Sequence, residues 1–338
     1  MTNFLKNLIN LFKFKKNEKK FKRIIFNENR NTLKYLDPLI LISKKKTCII
    51  SLEKIDKKNS DQIEYFFFSN NIIISILFSI LKIKFLYTTT PDLNSTVFKR
   101  SIFNKTKYIY IQHSPVSLSM AYRDNAFIHF DAIHAVNRNQ YSDIMDLNRL
   151  YKKKIKPLRY RYFFLDQFTP KKNTTITKID YLIAPTWNTN FYKLNLHKKI
   201  FNILKDANKT FVFRPHYMSI NKKEFEFNDI NLKTNEIDIS SEFSFDNYSN
   251  LISDWSGIYL EFAILKKIKP ILINSKMKVR NNEFEKFTMQ PIELELRNSI
   301  SFQFDEGDLD NFIKYISKDT NLDLEQKEIT NILISKFY

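Results

Sequence analysis

The sequence predicts an α/β protein with two parallel β-sheets, one in each of two domains that face a central cleft. Its 338 residues exceed the size at which a single hydrophobic core usually stops growing, so two domains are expected. Short β-branched or aromatic runs alternate with helical stretches, a pattern typical of parallel sheets covered by helices on both faces. The alternation stops at the charged segment 171–178 and then begins again, which predicts a linker there.

The first domain is predicted to span residues 21–170. We expect helices over 30–43, 70–82 and 138–151, and strands in the runs RIIFN, TCIISLE, IEYFFFS, KFLYTTT, YIYIQH and AIHAV. Polar or turn residues end each of these runs, as they do at the mouths of buried strands.

The second domain is predicted to span residues 179–338. Its expected strands are YLIAPT, TFVFRPH, NLISD and KPILIN, and its expected helices cover 190–207, 256–267, 308–317 and 326–337, the last two closing the domain. Ligands of such sheets bind beyond the carboxyl ends of the strands. The residues that directly follow strands are therefore the candidate site residues.

A basic amphipathic helix is predicted over residues 1–20. Leu5, Leu8, Ile9 and Phe12 recur at i, i+3, i+4 and i+7, and lysines fall largely on the rest of the helix or just after it. This pattern favours a helix that lies on an anionic membrane surface. It fits equally well an ordinary helix docked on the domain that follows.

The positive charge is concentrated in one half of the chain. Residues 1–178 carry 34 Lys and Arg against 13 Asp and Glu, whereas the remaining residues carry 21 against 23. A field of this sign attracts polyanions, although biased genome composition can also supply surface lysines. The aromatic residues fall inside apolar strands rather than between the basic residues, so no nucleic-acid partner is expected.

Several classes of protein are excluded by composition. Two glycines in the whole chain are too few for any glycine-rich phosphate loop. A single cysteine, Cys48, cannot form an internal disulfide or a thiolate zinc site, which indicates a reducing, cytoplasmic compartment. The longest apolar run, 72–81, is too short to span a bilayer, and no cleavable signal is expected. His129 and His134 have neither helical nor same-face strand spacing, so no metal site or cofactor is predicted.

Two predicted strand ends carry histidines. His113 directly follows YIYIQ, where an imidazole is well placed to take a proton from a hydroxyl near neutral pH. Arg214 and His216 flank Pro215 after TFVF, a spacing suited to holding phosphate oxygens. The alternatives are a histidine hydrogen-bonded within a loop and an arginine paired with a local carboxylate.

A third strand end leads into a helix. Asp254 ends the strand NLISD, Ser256 is a natural N-cap, and Gly257 permits close approach to the first turn. The free N–H groups of a first helical turn bind anions without a glycine-rich loop. A plain capped helix has the same pattern.

Together these motifs resemble those of the CDP-glycerol glycerophosphotransferases, which polymerise or prime teichoic acids and related capsular polymers. The resemblance rests on IQHSPVS at 111–117, YLIAPTW at 181–187, FRPH at 213–216 and the long block at 251–273, with weaker matches at 88–93 and around Asp166. It implies a GT-B-like fold of two Rossmann-like domains, no metal or cofactor, and a peripheral position on the inner face of the cell membrane.

The resemblance also implies a role for each site residue. His113 and His216 would be catalytic, with His113 as the base that activates an acceptor hydroxyl on a polymer or lipid-linked acceptor. The phosphates of a CDP-linked donor would lie against Arg214, His216, Asp254, Ser256 and Gly257. Thr186 and Trp187 would meet the nucleotide.

The sequence departs from the family pattern at positions that bear on the donor. Ser114 stands where the family commonly has glycine, and the tyrosine and aspartate that often follow the KPILI-like strand are absent. Glycerol phosphate, ribitol phosphate, another polyol phosphate or a sugar would each fit the same phosphate site. The expected function is thus transfer of a polyol phosphate with release of CMP; the alternatives are a nucleotide-sugar glycosyltransferase and a nucleic-acid-binding protein.

Overall fold

The computed structural model describes residues 3–28, 30–41, 46–55, 59–159, 162, 178–240, 244–317 and 322–337. The chain divides into two compact units. The first unit comprises Met1–His113, Tyr122–Asp166 and Lys286–Met289, and the second comprises Ser114–Ala121, Gln167–Glu285 and Gln290–Tyr338. Within the described residues, no helix is both long enough and apolar enough to cross a membrane.

The first unit is built on a seven-stranded, fully parallel sheet. Its strands are β1 (Arg23–Asn27), β2 (Thr47–Ser51), β3 (Ile63–Phe67), β4 (Phe85–Thr88), β5 (Lys107–Tyr110), β6 (Ala132–Ala135) and β7 (Lys156–Arg159). The strand order β3-β2-β1-β4-β5-β6-β7 reverses direction between β1 and β4. Every residue of β2 is buried, because helices and loops cover both faces of the sheet.

The helices of the first unit are α1 (Asn3–Asn17), α2 (Arg30–Leu33), α3 (Asp37–Leu41), α4 (Asn71–Ser79) and α6 (Arg138–Tyr151). A 3₁₀ turn, Glu18–Lys20, follows α1. The single helix expected over 30–43 is in fact two short ones. Pro38 lacks the N–H that a continuous helix would need, so the chain turns before it and starts again at Asp37.

Helix α1 is docked on the first unit through a face other than the predicted apolar one. Leu11 and Phe14 are buried, and the side chain of Asn7 accepts from the backbone N–H of Ser69 at 2.8 Å. The predicted face is partly open: Leu5 is 45% exposed and Phe12 is 72% exposed. The docking and the exposed apolar residues therefore lie on different sides of the same helix.

The second unit is built on a five-stranded parallel sheet. Its strands are β8 (Ile179–Ile183), β9 (Phe211–Phe213), β10 (Tyr248–Ser253), β11 (Ile271–Asn274) and β12 (Phe302–Asp305). The order β12-β11-β10-β8-β9 reverses between β8 and β10. One side of the sheet packs in a large apolar cluster that includes Ile183, Ile252 and Phe304.

The helices of the second unit are α5 (Leu118–Ala121), α7 (Asn190–Lys193), α8 (Leu196–Asp206), α9 (Tyr217–Asn221), α10 (Ile258–Lys266), α11 (Ile292–Ile300), α12 (Leu309–Ile316) and α13 (Leu322–Phe337). Short 3₁₀ helices lie at Phe227–Asp229, Thr234–Glu236, Phe245–Asn247 and Phe284–Lys286. The helix expected over 190–207 is broken at Asn195, whose left-handed φ of 53° ends one helix before the next begins.

Segment 114–121 is held on the second unit by close contacts. The buried carboxylate of Glu293 accepts hydrogen bonds from the backbone N–H and the hydroxyl of Ser117, each at 3.1 Å. A Cβ placed on Gly257 would lie 2.2 Å from Ser114 Oγ and 2.8 Å from Val116 Cγ1. The glycine at the start of α10 is therefore required by this segment of the chain.

The predicted α/β class with two parallel sheets is confirmed. Two edge strands and three helices escaped prediction: β7 contains Pro157, β12 is short, and α5, α9 and α11 lie in segments to which no element was assigned. The predicted linker at 171–178 lies outside the described residues except for Lys178, and Asp166 also lies outside them. The domain boundaries at 20/21 and 170/179 thus stay predictions.

Replacing Gly257 with alanine should destabilise the second unit. Ser114 would have to rotate and Val116, which is stiff at χ1, would have to move, at a cost of about 1–3 kcal/mol. Urea unfolding measures this loss. Gly307→Ala is the matched control, because a Cβ there meets nothing within 4 Å. Equal stability of the two variants would contradict the contact.

Candidate functional site

His113 follows β5 at the carboxyl edge of the first sheet. Its Nδ1 lies 3.1 Å from the hydroxyl of Tyr110, which in turn donates to the hydroxyl of Tyr122 at 3.2 Å. Burial lowers the pKa of His113 to about 4, while a hydrogen bond with the backbone of Thr89 acts in the opposite direction. The imidazole is therefore in its neutral form at pH 7.

Carboxylates follow three other strands of the same sheet. Glu28, Glu53 and Asp92 come after β1, β2 and β4, the first and last of these strands flanking the point where the strand order reverses. Desolvation raises the pKa of Glu28, which also has repulsive interactions with Asp92 and Glu53, whereas a hydrogen bond with Thr90 lowers it. Sequence reasoning missed these carboxylates, although the strand-end rule that selected His113 also selects them.

Asp254 fixes the corresponding edge of the second sheet. Its carboxylate is fully buried and accepts from the backbone N–H of Thr186 at 2.7 Å and from the hydroxyl of Thr189 at 3.2 Å. These bonds join the ends of β10 and β8, between which the strand order reverses. Burial raises the pKa of Asp254, and the hydrogen bond from Thr186 is the largest influence in the other direction.

Arg297 holds the turn after β10 in place through hydrogen bonds to the backbone. It donates to the backbone oxygens of Asp254 at 2.8 Å and Ile273 at 2.7 Å, and its guanidinium carbon lies 4.1 Å from the ring centroid of Trp255. Arg297 thereby links the ends of β10 and β11. It lies in α11, a helix that sequence reasoning did not identify.

Arg214 and His216 have local partners. Arg214 forms an ion pair with Asp238 at 2.6 Å, and its second terminal nitrogen donates to the backbone oxygen of Ser240. His216 caps the short helix α9, because its Nδ1 accepts from the backbone N–H of Met218 at 3.1 Å. A neutral imidazole bonded in this way carries its proton on Nε2.

The start of α10 differs from the prediction in one respect. The helix begins at Ile258, and its N-cap residue is Gly257 with no side-chain hydrogen bond. Ser256 was expected to be the N-cap and is not, because the chain enters the helix one residue later. The backbone oxygen of Ser256 accepts a hydrogen bond from the N–H of Tyr259 at 3.3 Å.

Basic residues surround Trp187 in the second unit. Lys222 Nζ and Lys278 Nζ lie 4.2 and 4.3 Å from the centroid of the Trp187 ring, and the guanidinium carbon of Arg280 lies 5.6 Å from it. The His216 ring lies 6.4 Å from the same indole. Lys278 also donates to Thr186 Oγ1 at 2.8 Å.

The structure brings some of the predicted site residues together and leaves others apart. Thr186 bonds to Asp254, and Trp187 adjoins His216, whereas the guanidinium of Arg214 is bound to Asp238. His113 belongs to the first unit. Sequence reasoning missed Lys222, Lys278, Arg280 and Arg297. Lys278 and Arg280 follow β11, so the strand-end rule was also the signal that could have found them.

No metal centre is evident in the described part of the chain, where no three His, Cys, Asp or Glu side chains are grouped to hold an ion.

Comparison with known proteins identifies a fold. A structure of the wall teichoic acid polymerase TagF matches with a TM-score of 0.57 and 13% identity, over 99% of this chain and 92% of the other. A histidine-to-asparagine variant of TagF soaked with CDPG matches with the same TM-score and 14% identity, over 99% and 91%. No family model matches the sequence, and no curated protein does. The predicted GT-B-like fold is thus confirmed.

The lowered pKa of His113 predicts acid destabilisation. In the unfolded chain the imidazole titrates near pH 6.5, but in the folded protein its pKa is about 4. Between these values the unfolded chain binds more protons than the folded protein. The contribution of His113 to the free energy of unfolding should therefore be fully present above pH 6.5 and be lost as the pH falls toward 4. Urea unfolding at pH 7 and pH 5 measures this loss of stability, and the difference between the two pH values should be smaller in His113→Asn. The same difference in the variant and the unchanged protein would contradict a lowered pKa for His113.

Proposed function

We propose that the protein transfers glycerol phosphate, or another polyol phosphate, from a CDP-linked donor to a hydroxyl of a cell-surface glycopolymer, with release of CMP. The observation that carries this proposal is the position of His113 directly beyond β5, at the carboxyl edge of the first sheet, in a chain that shares its fold, over nearly its whole length, with a teichoic acid polymerase. Soaking of CDPG into that polymerase supports a CDP-linked donor.

The proposed reaction is an in-line displacement at phosphorus. The acceptor hydroxyl loses its proton to His113 and its oxygen bonds to the β-phosphorus of the donor. The bond from that phosphorus to the bridging oxygen breaks, and CMP leaves with this oxygen. Positioning and charge stabilisation carry most of the catalysis in such transfers.

We propose that the second unit binds the donor. The Nε2–H of His216 and backbone N–H groups at the start of α10, beside Ser256 and Gly257, are donors suited to phosphate oxygens. In this proposal, Thr186 and Trp187 contact the nucleotide part of the donor. Asp254 acts on the donor through the Thr186 loop that it holds. The proposed phosphate role of Arg214 requires it to exchange one of its contacts to Asp238 or Ser240.

We further propose that exposed apolar and basic residues of α1 bind the cytoplasmic face of an anionic membrane. Phe4, Leu5 and Phe12 are exposed, and Lys6 and Lys13 are exposed beside them. Ile72, in the neighbouring helix α4, is 68% exposed and extends the apolar surface. Apolar side chains inserted between lipid tails and lysines at the headgroups are the two contributions that hold such helices on bilayers.

Product analysis tests the reaction. Incubation with CDP-glycerol, CDP-ribitol and nucleotide sugars should release CMP from a CDP-polyol and leave a phosphodiester in the product. Release of a nucleoside diphosphate from a nucleotide sugar would instead show a glycosyltransferase. Tight binding of oligonucleotides with no turnover of any donor would support a nucleic-acid-binding protein.

His113→Asn should lower the rate of CMP release by about 10²–10⁴-fold, because the acceptor hydroxyl loses its base. Donor binding, measured by calorimetry with CDP, should change little. His129→Asn, a half-buried histidine of the same unit, is the control and should retain the rate. Loss of CDP binding together with turnover would contradict the role of a base.

Substitution of Leu5 and Phe12 by glutamate should weaken association with phosphatidylglycerol vesicles while the fold is retained, because both side chains are exposed. Vesicle sedimentation at low and high salt measures this. Met145→Glu, which changes a residue of similar exposure in α6, is the control. Equal sedimentation of all variants would show that α1 is purely structural. Deletion of α1 is a poorer test because it removes the buried Phe14.

A further inference from the structure

The cluster of Lys222, Lys278 and Arg280 around Trp187 lacks enough negative charge to balance it. All three cations lie within 6 Å of one ring centroid. Among the described residues, none of the three forms an ion pair with a carboxylate. Cations are attracted to the face of an indole, but the ring carries no net charge to neutralise them.

Two carboxylates, Asp254 and Glu224, offset part of the charge of the three cations. Asp254 and Glu224 both interact favourably with Lys278 over a distance. Asp254 accepts from Thr186 and Thr189, and one oxygen of Glu224 accepts from the backbone N–H of Asn188 at 2.8 Å. These carboxylates hold the loops in place and leave an excess of positive charge at the indole.

Lys278 is the most enclosed of the three cations. Its ammonium donates to Thr186 Oγ1. Its pKa is lowered to about 8, chiefly by burial; Asp254 and Glu224 act to raise this pKa, and Arg280 and Lys222 act to lower it. A folded protein that keeps an ammonium group in such surroundings bears an electrostatic cost. An anion bound between the cations would remove that cost.

We propose that Lys222, Lys278 and Arg280 form a binding site for the diphosphate of a nucleoside diphosphate-linked substrate. This inference rests on the proposed function and adds these three cations to the donor-binding groups named there. The guanidinium of Arg280 binds two phosphate oxygens side by side, and the two ammonium groups bind further oxygens as point charges. The Trp187 ring holds the three cations in place, so fewer side-chain conformations are lost on binding.

Proton uptake follows from this arrangement. A bound diphosphate favours the charged form of Lys278, so its pKa rises above 8 on binding. Near pH 8 the free protein is partly deprotonated at this position and must take up a proton as the ligand binds. Affinity should therefore decline as the pH is raised above 8.

Isothermal titration calorimetry of the full chain with CDP tests the site. Lys222→Met and Arg280→Met change exposed side chains and should each weaken CDP binding by about tenfold or more, as should Lys278→Met. Lys223→Met and Lys276→Met are matched controls on exposed neighbours outside the cluster, and they should bind CDP within about twofold of the unchanged protein. Unchanged CDP affinity in all three cluster variants would overturn the proposal.

A second measurement does not depend on the folding of the methionine variants. At pH 8 the binding enthalpy of CDP in HEPES and in Tris should differ in proportion to proton uptake, and Lys278→Arg should keep affinity but abolish the difference, because arginine stays charged. Equal enthalpies in the two buffers for the unchanged protein would contradict the role of Lys278.

Competition with other phosphate compounds distinguishes a site for the donor diphosphate from a site for the acceptor polymer. CMP should bind more weakly than CDP, and pyrophosphate should compete with CDP. An oligomer of glycerol phosphate that competes better than pyrophosphate would overturn the proposal and place an acceptor polymer here. Failure of the CMP-release assay, with CDP binding still lost in the cluster variants, would refute the proposed reaction but not this site.

Discussion

The buried carboxylate of Asp254 organises the carboxyl edge of the second sheet. It bonds to the backbone of Thr186 and the hydroxyl of Thr189 where the strand order reverses, and its own backbone oxygen is held by Arg297. A buried carboxylate is stable only when hydrogen bonds replace its lost water, so the loops after β8, β10 and β11 are fixed together. Of the candidate donor-binding groups, Thr186, Trp187, Ser256, Gly257, Lys278 and Arg280 follow β8, β10 or β11, whereas Arg214, His216 and Lys222 follow β9.

The distribution of charge shows why net charge is a poor guide to the site. The excess of lysine lies in residues 1–178, and the second half of the chain is slightly acidic. Yet three cations lie together around Trp187 in that second half. Net charge governs long-range attraction, whereas binding depends on cations that the fold holds at short range.

Prediction of the fold succeeded where the pattern is strong and failed at edges. Interior strands such as β1 and β11 contain continuous apolar runs, because both faces of a parallel sheet are buried. Edge strands need less apolar surface and tolerate Pro157, so β7 was missed. Helix 190–207 has the right periodicity throughout, but its break depends on the left-handed conformation of Asn195, which periodicity does not reveal.

The sequence by itself determined the two parallel sheets and the strand ends at His113, Thr186, His216 and Asp254, because period and burial are local properties of the chain. Only the tertiary structure decided which partners these residues have. Asp238 lies 24 positions from Arg214, and Lys278 lies 92 positions from Thr186. Gly257 is needed by a segment more than a hundred residues earlier in the chain. Contacts of this separation depend on how loops pack after the sheets have formed, and no local pattern encodes them.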